Sequence, residues 1–268
     1  MPSPEAKPEP EASEEGYTEP GQGEFDAVAE HYDHLMRSVP YDRWVDYVEQ
    51  LMERLGIRPR RILDLCCGTG KVGSELLRRG YEALGVDLSE QMTRRCRCQS
   101  PPLPAAVMDA RRLGLREASL DVVLSLYDSL NYILKPEDLL ACFVGVARGL
   151  RPTGWLIFDM NTTFALAAGL FAHSNVGSGD KLEYEWIPTY DPATRICRVE
   201  MNFVWRGDGG KRRYREVHYQ RAYEVRELRA MLQQAGFEAL RFYHAYTLSR
   251  PSRWSDRVFV MARKAGSG

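Results

Sequence analysis

This chain has no apolar run approaching the 18 or more residues of a membrane-spanning helix, and its N-terminus lacks the pattern of a secretory signal. Both absences lead to the expectation of a cytoplasmic protein with no membrane partner. Cysteine is sparse, six in 268 residues, and no two stand in a C-x₂-C pair, so neither a disulfide scaffold nor a zinc site is expected, and no metal is assigned. No sign of charge dominates: 36 Lys and Arg face 37 Asp and Glu. A nucleic-acid footprint needs clustered cations, and the runs at Arg94–Arg97 and Arg212–Arg215 are too short to be more than solvated faces. Large apolar residues are nearly missing from residues 1–24, which are rich in Pro, Glu, Ser and Gly and carry seven acids against one lysine. Such a stretch cannot bury enough surface to offset its ordering, so it is expected to be a disordered tail. The remaining residues, 25–268, then carry about +5 and are long enough to bury a core.

Strand and helix patterns alternate along most of that domain. Two amphipathic helices come first, one carrying Phe25, Val28, Tyr32 and Met36, the other Trp44, Val48, Leu51 and Leu55. Strands are expected at Arg61–Leu65, Glu82–Val86, Ala105–Met108, Asp121–Leu126 and Trp155–Met160. Helices are expected at Lys71–Arg79, from an N-cap at Ser89 to Cys98, and from Pro136, with Leu139, Leu140, Phe143, Val144, Ala147 and Leu150 facing inward. Arg151–Gly154 reads as a turn. Nearly continuous apolar strands between helices imply a parallel sheet covered on both faces. The period then switches to two. Cys197 to Trp205 alternates, Gly207–Gly210 forms a turn, and Arg213–Tyr223 alternates again, with Leu182–Ile187 as a third strand. A helix at Val225–Ala235 and strands at Leu240–Tyr246 and Val258–Ala262 complete the chain.

The run Leu63–Gly73, LDLCCGTGKVG, carries the most chemistry. Gly68, Gly70 and Gly73 satisfy G-x-G-x-x-G, and Asp87 supplies an acid about 20 residues on, as a nicotinamide-dependent oxidoreductase would have. Asp64, just ahead of the glycines, argues against that reading. A carboxylate there would repel the pyrophosphate that a dinucleotide lays on the helix N-terminus. S-adenosylmethionine (SAM) has no phosphate and carries a sulfonium and an ammonium, so an acid beside the turn suits it.

The run resembles the first motif of class I SAM-dependent methyltransferases. Asp87, Asp109 and Tyr127-Asp128 close the next three strands in the order of that family. A subgroup of small bacterial methyltransferases is similar in three further places: Tyr32–Met36 with Pro40–Trp44, Asp128–Tyr132, and His218–Tyr223. The resemblance spans about residues 25–263, and some relatives methylate amino groups on sugars. It implies an α/β fold, a doubly wound, seven-stranded, mostly parallel, Rossmann-like sheet, with N-terminal helices and an antiparallel β insertion over about residues 161–223 acting as a substrate lid. It implies SAM as cofactor, held by Asp64 near the methionine ammonium, by Gly68, Thr69 and Gly70 through the backbone, and by Asp87 and Leu88 at the ribose. Asp109 and Ala110 would border the adenine, with Tyr32, Tyr41 and Tyr127 near the methionine end.

On the acceptor side, Tyr127, Asn131 and His218 are the expected catalytic residues. His218 is the candidate base because an unperturbed imidazole titrates near 6.5, against the alternative of a satisfied polar pair between sheet layers. The expected reaction is methyl transfer to a small-molecule acceptor, at nitrogen or oxygen. A nicotinamide oxidoreductase and a non-catalytic SAM-binding protein stay open as alternatives. The oligomeric state is not legible, a homodimer being one option.

Overall fold

Strands that are apolar on both faces demand cover on both, and the computed structural model, which describes residues 25, 28–207 and 210–266, supplies it. A short helix α1 (Tyr32–Leu35) and a longer α2 (Tyr41–Arg54) precede β1 (Arg61–Leu65). Then come α3 (Lys71–Arg78), β2 (Glu82–Asp87), α4 (Glu90–Arg95), β3 (Ala105–Val107), β4 (Leu120–Ser125), α5 (Pro136–Gly149) and β5 (Leu150–Asn161). After α6 (Thr163–Ala167) follow β6 (Leu182–Asp191), β7 (Ile196–Gly207) and β8 (Gly210–Arg221), and the chain closes with α7 (Val225–Gln234), β9 (Phe237–His244) and β10 (Arg257–Lys264). The main sheet has seven strands in the order β3-β2-β1-β4-β5-β10-β9, and only β10 runs antiparallel to its neighbours. This is the class I methyltransferase fold. The insertion is a separate antiparallel sheet, β6-β7-β8.

Alternate residues of the central strands feed two cores. Ile62, Val122 and Ile157 pack on one face with Val45, Val48 and Leu51 of α2 and Leu76 of α3. Leu63, Val123 and Phe158 pack on the other with Leu139, Phe143 and Val146 of α5 and Leu228 and Leu232 of α7. A third core lies under the insertion, where Val28 meets Leu182, Val199, Met201 and Phe203.

Ser89 caps α4 through Met92 N (3.1 Å), and Pro136 opens α5. Val144, expected on the inner face of α5, is half exposed, while Cys142 and Val146 are buried. Arg151–Gly154 does not separate helix from strand. It is an outward excursion within β5, with Leu150 paired to Leu120 and Trp155 to Val122, so β4 pairing resumes after the extra residues, as in a β-bulge. β9 starts at Phe237 rather than Leu240, because Gly236 ends α7 and the Phe237 side chain is buried at once. Residues 1–24 of the expected tail, and Asp208 and Gly209 of the expected turn, lie outside the described residues.

Candidate active site

Two central strands, β1 and β4, diverge in topology at their carboxyl ends, where a doubly wound sheet leaves a crevice. At the end of β1 the backbone turns through Gly68 with φ +54°, and a Cβ added there would meet nothing within 4 Å, so the space above the turn is open. Gly73 serves the opposite need. A Cβ there would fall 2.4 Å from the Leu103 side chain, so glycine lets α3 pack closely. Asp64 lies beneath this turn, 3% exposed, accepting a hydrogen bond from Gly73 N (2.9 Å). Burial pushes its carboxyl up to about 7; the Gly73 bond opposes this and the nearby Asp87 adds to it. Asp87 ends β2 and links two turns, accepting from Gly68 N (2.8 Å) and Ser89 N (3.0 Å).

The N-terminal helices close over the turn. Asp33 of α1 accepts from the Thr69 hydroxyl (2.7 Å) and Gln99 (3.2 Å) and pairs with Lys71 (3.3 Å). Asp109 caps the short turn Ala110–Arg112 and forks onto Arg111 at 2.8–3.0 Å. Lys71 and Arg111, the cations on this part of the cavity wall, are therefore engaged by carboxylates, with a further buried acid at Asp64. The donor set fits a ligand carrying an ammonium and a sulfonium better than one carrying a pyrophosphate.

At the end of β4, Tyr127 (φ +66°) and Asp128 (φ +51°) both stand in the left-handed region. Two consecutive non-glycine residues there are a strained arrangement, held by their partners. Tyr127 stacks on Trp44 (5.0 Å between ring centres) and lies under the Arg257 guanidinium (5.5 Å). One oxygen of Asp128 accepts from Arg257 (2.7 Å) and the other from Gln220 (2.6 Å), and Arg257 also bonds Asp159. Burial raises the Asp128 carboxyl and the Arg257 charge opposes it.

A cavity of about 870 Å³ spans these features. Its wall includes Asp64, Gly68, Thr69, Asp87, Leu88, Asp109 and Ala110, and also Tyr32, Tyr41 and Tyr127. Of the cofactor residues expected from sequence, Gly70 alone is not on that wall; its φ of +82° shapes the turn from behind.

Two expected catalytic residues are not brought to the cavity. His218 is fully buried between the insertion and the N-terminal segment, 2.7 Å from Glu216 and 3.0 Å from the Tyr132 hydroxyl, with Phe25 edge-on at 4.4 Å. Glu216 in turn accepts from Phe25 N and Val28 N (3.1 and 3.2 Å), so the pair anchors the incoming chain. Asn131 is equally buried. Its amide bonds Asn161 O (3.1 Å) and Arg221 O (2.8 Å) and accepts from Asn161 N (2.9 Å), fastening the end of β5 to the end of β8. Tyr127 is the one of the three that reaches the cavity.

Sequence reasoning passed over Trp44, Gln220 and Arg257, all on the wall. Trp44 reads as one more apolar position of α2, and nothing local marks Arg257 at the head of an apolar strand.

Comparison with known proteins places this architecture. Residues 62–154 match the model of a methyltransferase domain, and residues 15–101 that of the ubiE/COQ5 methyltransferase family. A relative from Bacillus subtilis (strain 168), "Putative methyltransferase YqeM", is 33% identical over 247 residues, covering 90% of this chain and 97% of its own. The crystal structure of an S-adenosylmethionine-dependent methyltransferase from Clostridium acetobutylicum ATCC 824 superposes with a TM-score of 0.78 at 25% identity, covering 90% of this chain and 99% of that one. The sugar N-methyltransferase KedS8 from Streptoalloteichus shares the fold, with a TM-score of 0.71 at 21% identity over 88% of this chain and 92% of its own.

Proposed function

This chain belongs to the SAM-dependent methyltransferases, and from that premise we propose that it methylates a small-molecule acceptor seated beneath the antiparallel insertion. Membership sets aside the nicotinamide oxidoreductase. One observation carries the proposal: a single cavity runs from the glycine turn, with Gly68 and Asp87, to the underside of the insertion, with Tyr184, Trp186, Val199 and Met201. Its volume lies toward the upper end of the ~300–1,000 Å³ of ligand pockets, so there is room for a donor and an acceptor side by side.

In this reading Asp87 receives the ribose hydroxyls, Asp64 faces the ammonium, and the backbone at Gly68 admits the ligand close to the turn. Leu88 lies beside the ribose, Asp109 and Ala110 flank the base, and Thr69, Tyr32, Tyr41 and Tyr127 enclose the methionine end. Bound SAM supplies an electrophilic methyl group, which an acceptor lone pair takes while sulfur keeps the electron pair of the breaking bond. The chain's own work is alignment and exclusion of water. Tyr127, fixed between Trp44 and Arg257, presents a rigid wall at the end of β4. Asp128, ion-paired with Arg257 and accepting from Gln220, serves to fix this wall rather than as a base.

The test is calorimetry with S-adenosylhomocysteine, the demethylated donor. It should bind and raise the melting temperature, as any ligand selective for the folded state does, whereas NADH should not. Asp87→Ala should weaken its binding by about 2–4 kcal/mol, the scale of two hydrogen bonds to a charged group with incomplete additivity. Unchanged affinity in that variant would overturn the assignment.

A further inference from the structure

The acceptor end of the cavity has a chemical bias of its own. Six half-buried aromatic rings line it: Phe25 and Tyr32 from the N-terminal segment, Tyr132 after β4, and Phe171, Tyr184 and Trp186 from the insertion. They are packed as neighbours, with Phe25 5.4 Å from Tyr32 and Tyr184 5.8 Å from Trp186. The charged groups on this side are Asp128, Asp256 and Arg257, with His173 at the rim. Arg257 is shared between Asp128 and the buried Asp159. The other lysines and arginines of the wall are Lys71, which faces Asp33, Arg111, which faces Asp109, and Lys135 at the start of α5, where Asp138 also lines the cavity.

Carboxylates thus outnumber guanidinium and ammonium groups here, and the ring faces add negative quadrupole. A phosphate or carboxylate entering this space would meet Asp128 and Asp256, and the arginine beside them, Arg257, is already shared between two carboxylates. An ammonium would find attraction from both sources.

Resting on the methyltransferase reading, we infer that the acceptor is an amine attached to an apolar or planar body and bearing no phosphate or carboxylate, recognised by this aromatic, acid-biased chamber. The acceptor atom is then nitrogen. The amine enters as the ammonium form and yields its proton to solvent before attack.

Three probes that share one ring isolate the charge: tyramine, tyrosol and 4-hydroxyphenylacetate, titrated calorimetrically into protein saturated with S-adenosylhomocysteine. Tyramine should bind at least about tenfold more tightly than the alcohol or the acid, as a cation–π site with an acid bias demands. Trp186→Leu and Tyr184→Leu should each lower tyramine affinity by about 2- to 30-fold, Trp186→Phe should fall between, and S-adenosylhomocysteine affinity should stay unchanged in all three. Equal binding of the three probes, preference for the acid, or absence of tyramine binding at millimolar concentration would overturn the inference. Failure of S-adenosylhomocysteine itself to bind would instead strike the methyltransferase reading beneath it.

Discussion

Asp64 concentrates the electrostatics of the site in one side chain. The folded chain holds its proton up to about pH 7, whereas the ordinary carboxyl value is 3.8. Between these values unfolding releases a proton, so Asp64 makes stability fall as pH rises from about 4 to 7 and has no further effect above. Comparing melting temperatures of wild type and Asp64→Asn across that window isolates the contribution; the asparagine variant should gain relative stability as pH rises. Binding of S-adenosylhomocysteine, whose ammonium favours the ionised acid, should strengthen over the same range and plateau above it. His218 behaves as a structural residue. Its removal takes away one hydrogen bond of the buried Glu216 and leaves a void, so His218→Ala should cost about 1–3 kcal/mol in chemical denaturation. Turnover per folded molecule should be nearly unchanged, because Tyr132 stands between His218 and the cavity.

Among the labelled helices α1 is the shortest, and it lies against the glycine turn. Four residues cannot hold a helix by themselves, and α1 is fixed by what it touches. Asp33 reaches the glycine turn through Thr69 and Lys71, while His34 and Arg37 reach Asp180 before β6. The same segment stacks His31 on Trp205 of β7 at 3.9 Å, tying the N-terminal segment to the insertion. Asp33→Ala should therefore weaken S-adenosylhomocysteine about tenfold, a loss of about 1.4 kcal/mol, chiefly through faster dissociation. Stopped-flow measurement of the two rate constants checks this, and an unchanged dissociation rate would show that α1 does not gate the pocket. The insertion sheet contributes differently. Its alternation places Tyr184, Trp186, Val199, Met201 and Gln220 toward the cavity, so one register error in β6 or β8 would turn that wall outward.

Over the whole molecule the fold is one α/β sheet with a second, smaller sheet roofing its carboxyl edge, and among the described residues no helix is long and apolar enough to cross a membrane. Residues 1–22 carry six acids and almost no large apolar side chains. Their deletion should leave the melting temperature and S-adenosylhomocysteine affinity unchanged, because such a composition has little apolar burial to contribute. A melting temperature several degrees lower after truncation would show that the segment docks on the domain.

What could be read from the chain alone was whatever short-range backbone chemistry determines. An apolar strand with Asp64 near its end, glycines spaced for a tight turn and an acid at Asp87 specify strand, turn and helix within some 25 residues, and period-two strands against nearly continuous apolar ones separate the insertion from the parallel sheet. The tertiary structure alone decided the cavity wall beneath the insertion and the contacts that support it. Arg257 meets Asp128 across 129 residues of chain, Asn131 meets Arg221 across 90, and Trp44 turns its ring toward Tyr127 only once α2 lies against the sheet. His218 carried the chemistry of a base in sequence, yet Glu216, Tyr132 and Phe25 enclose it. Side-chain type states what a residue can do; burial and partners, set by distant segments closing on one another, decide whether it reaches a ligand.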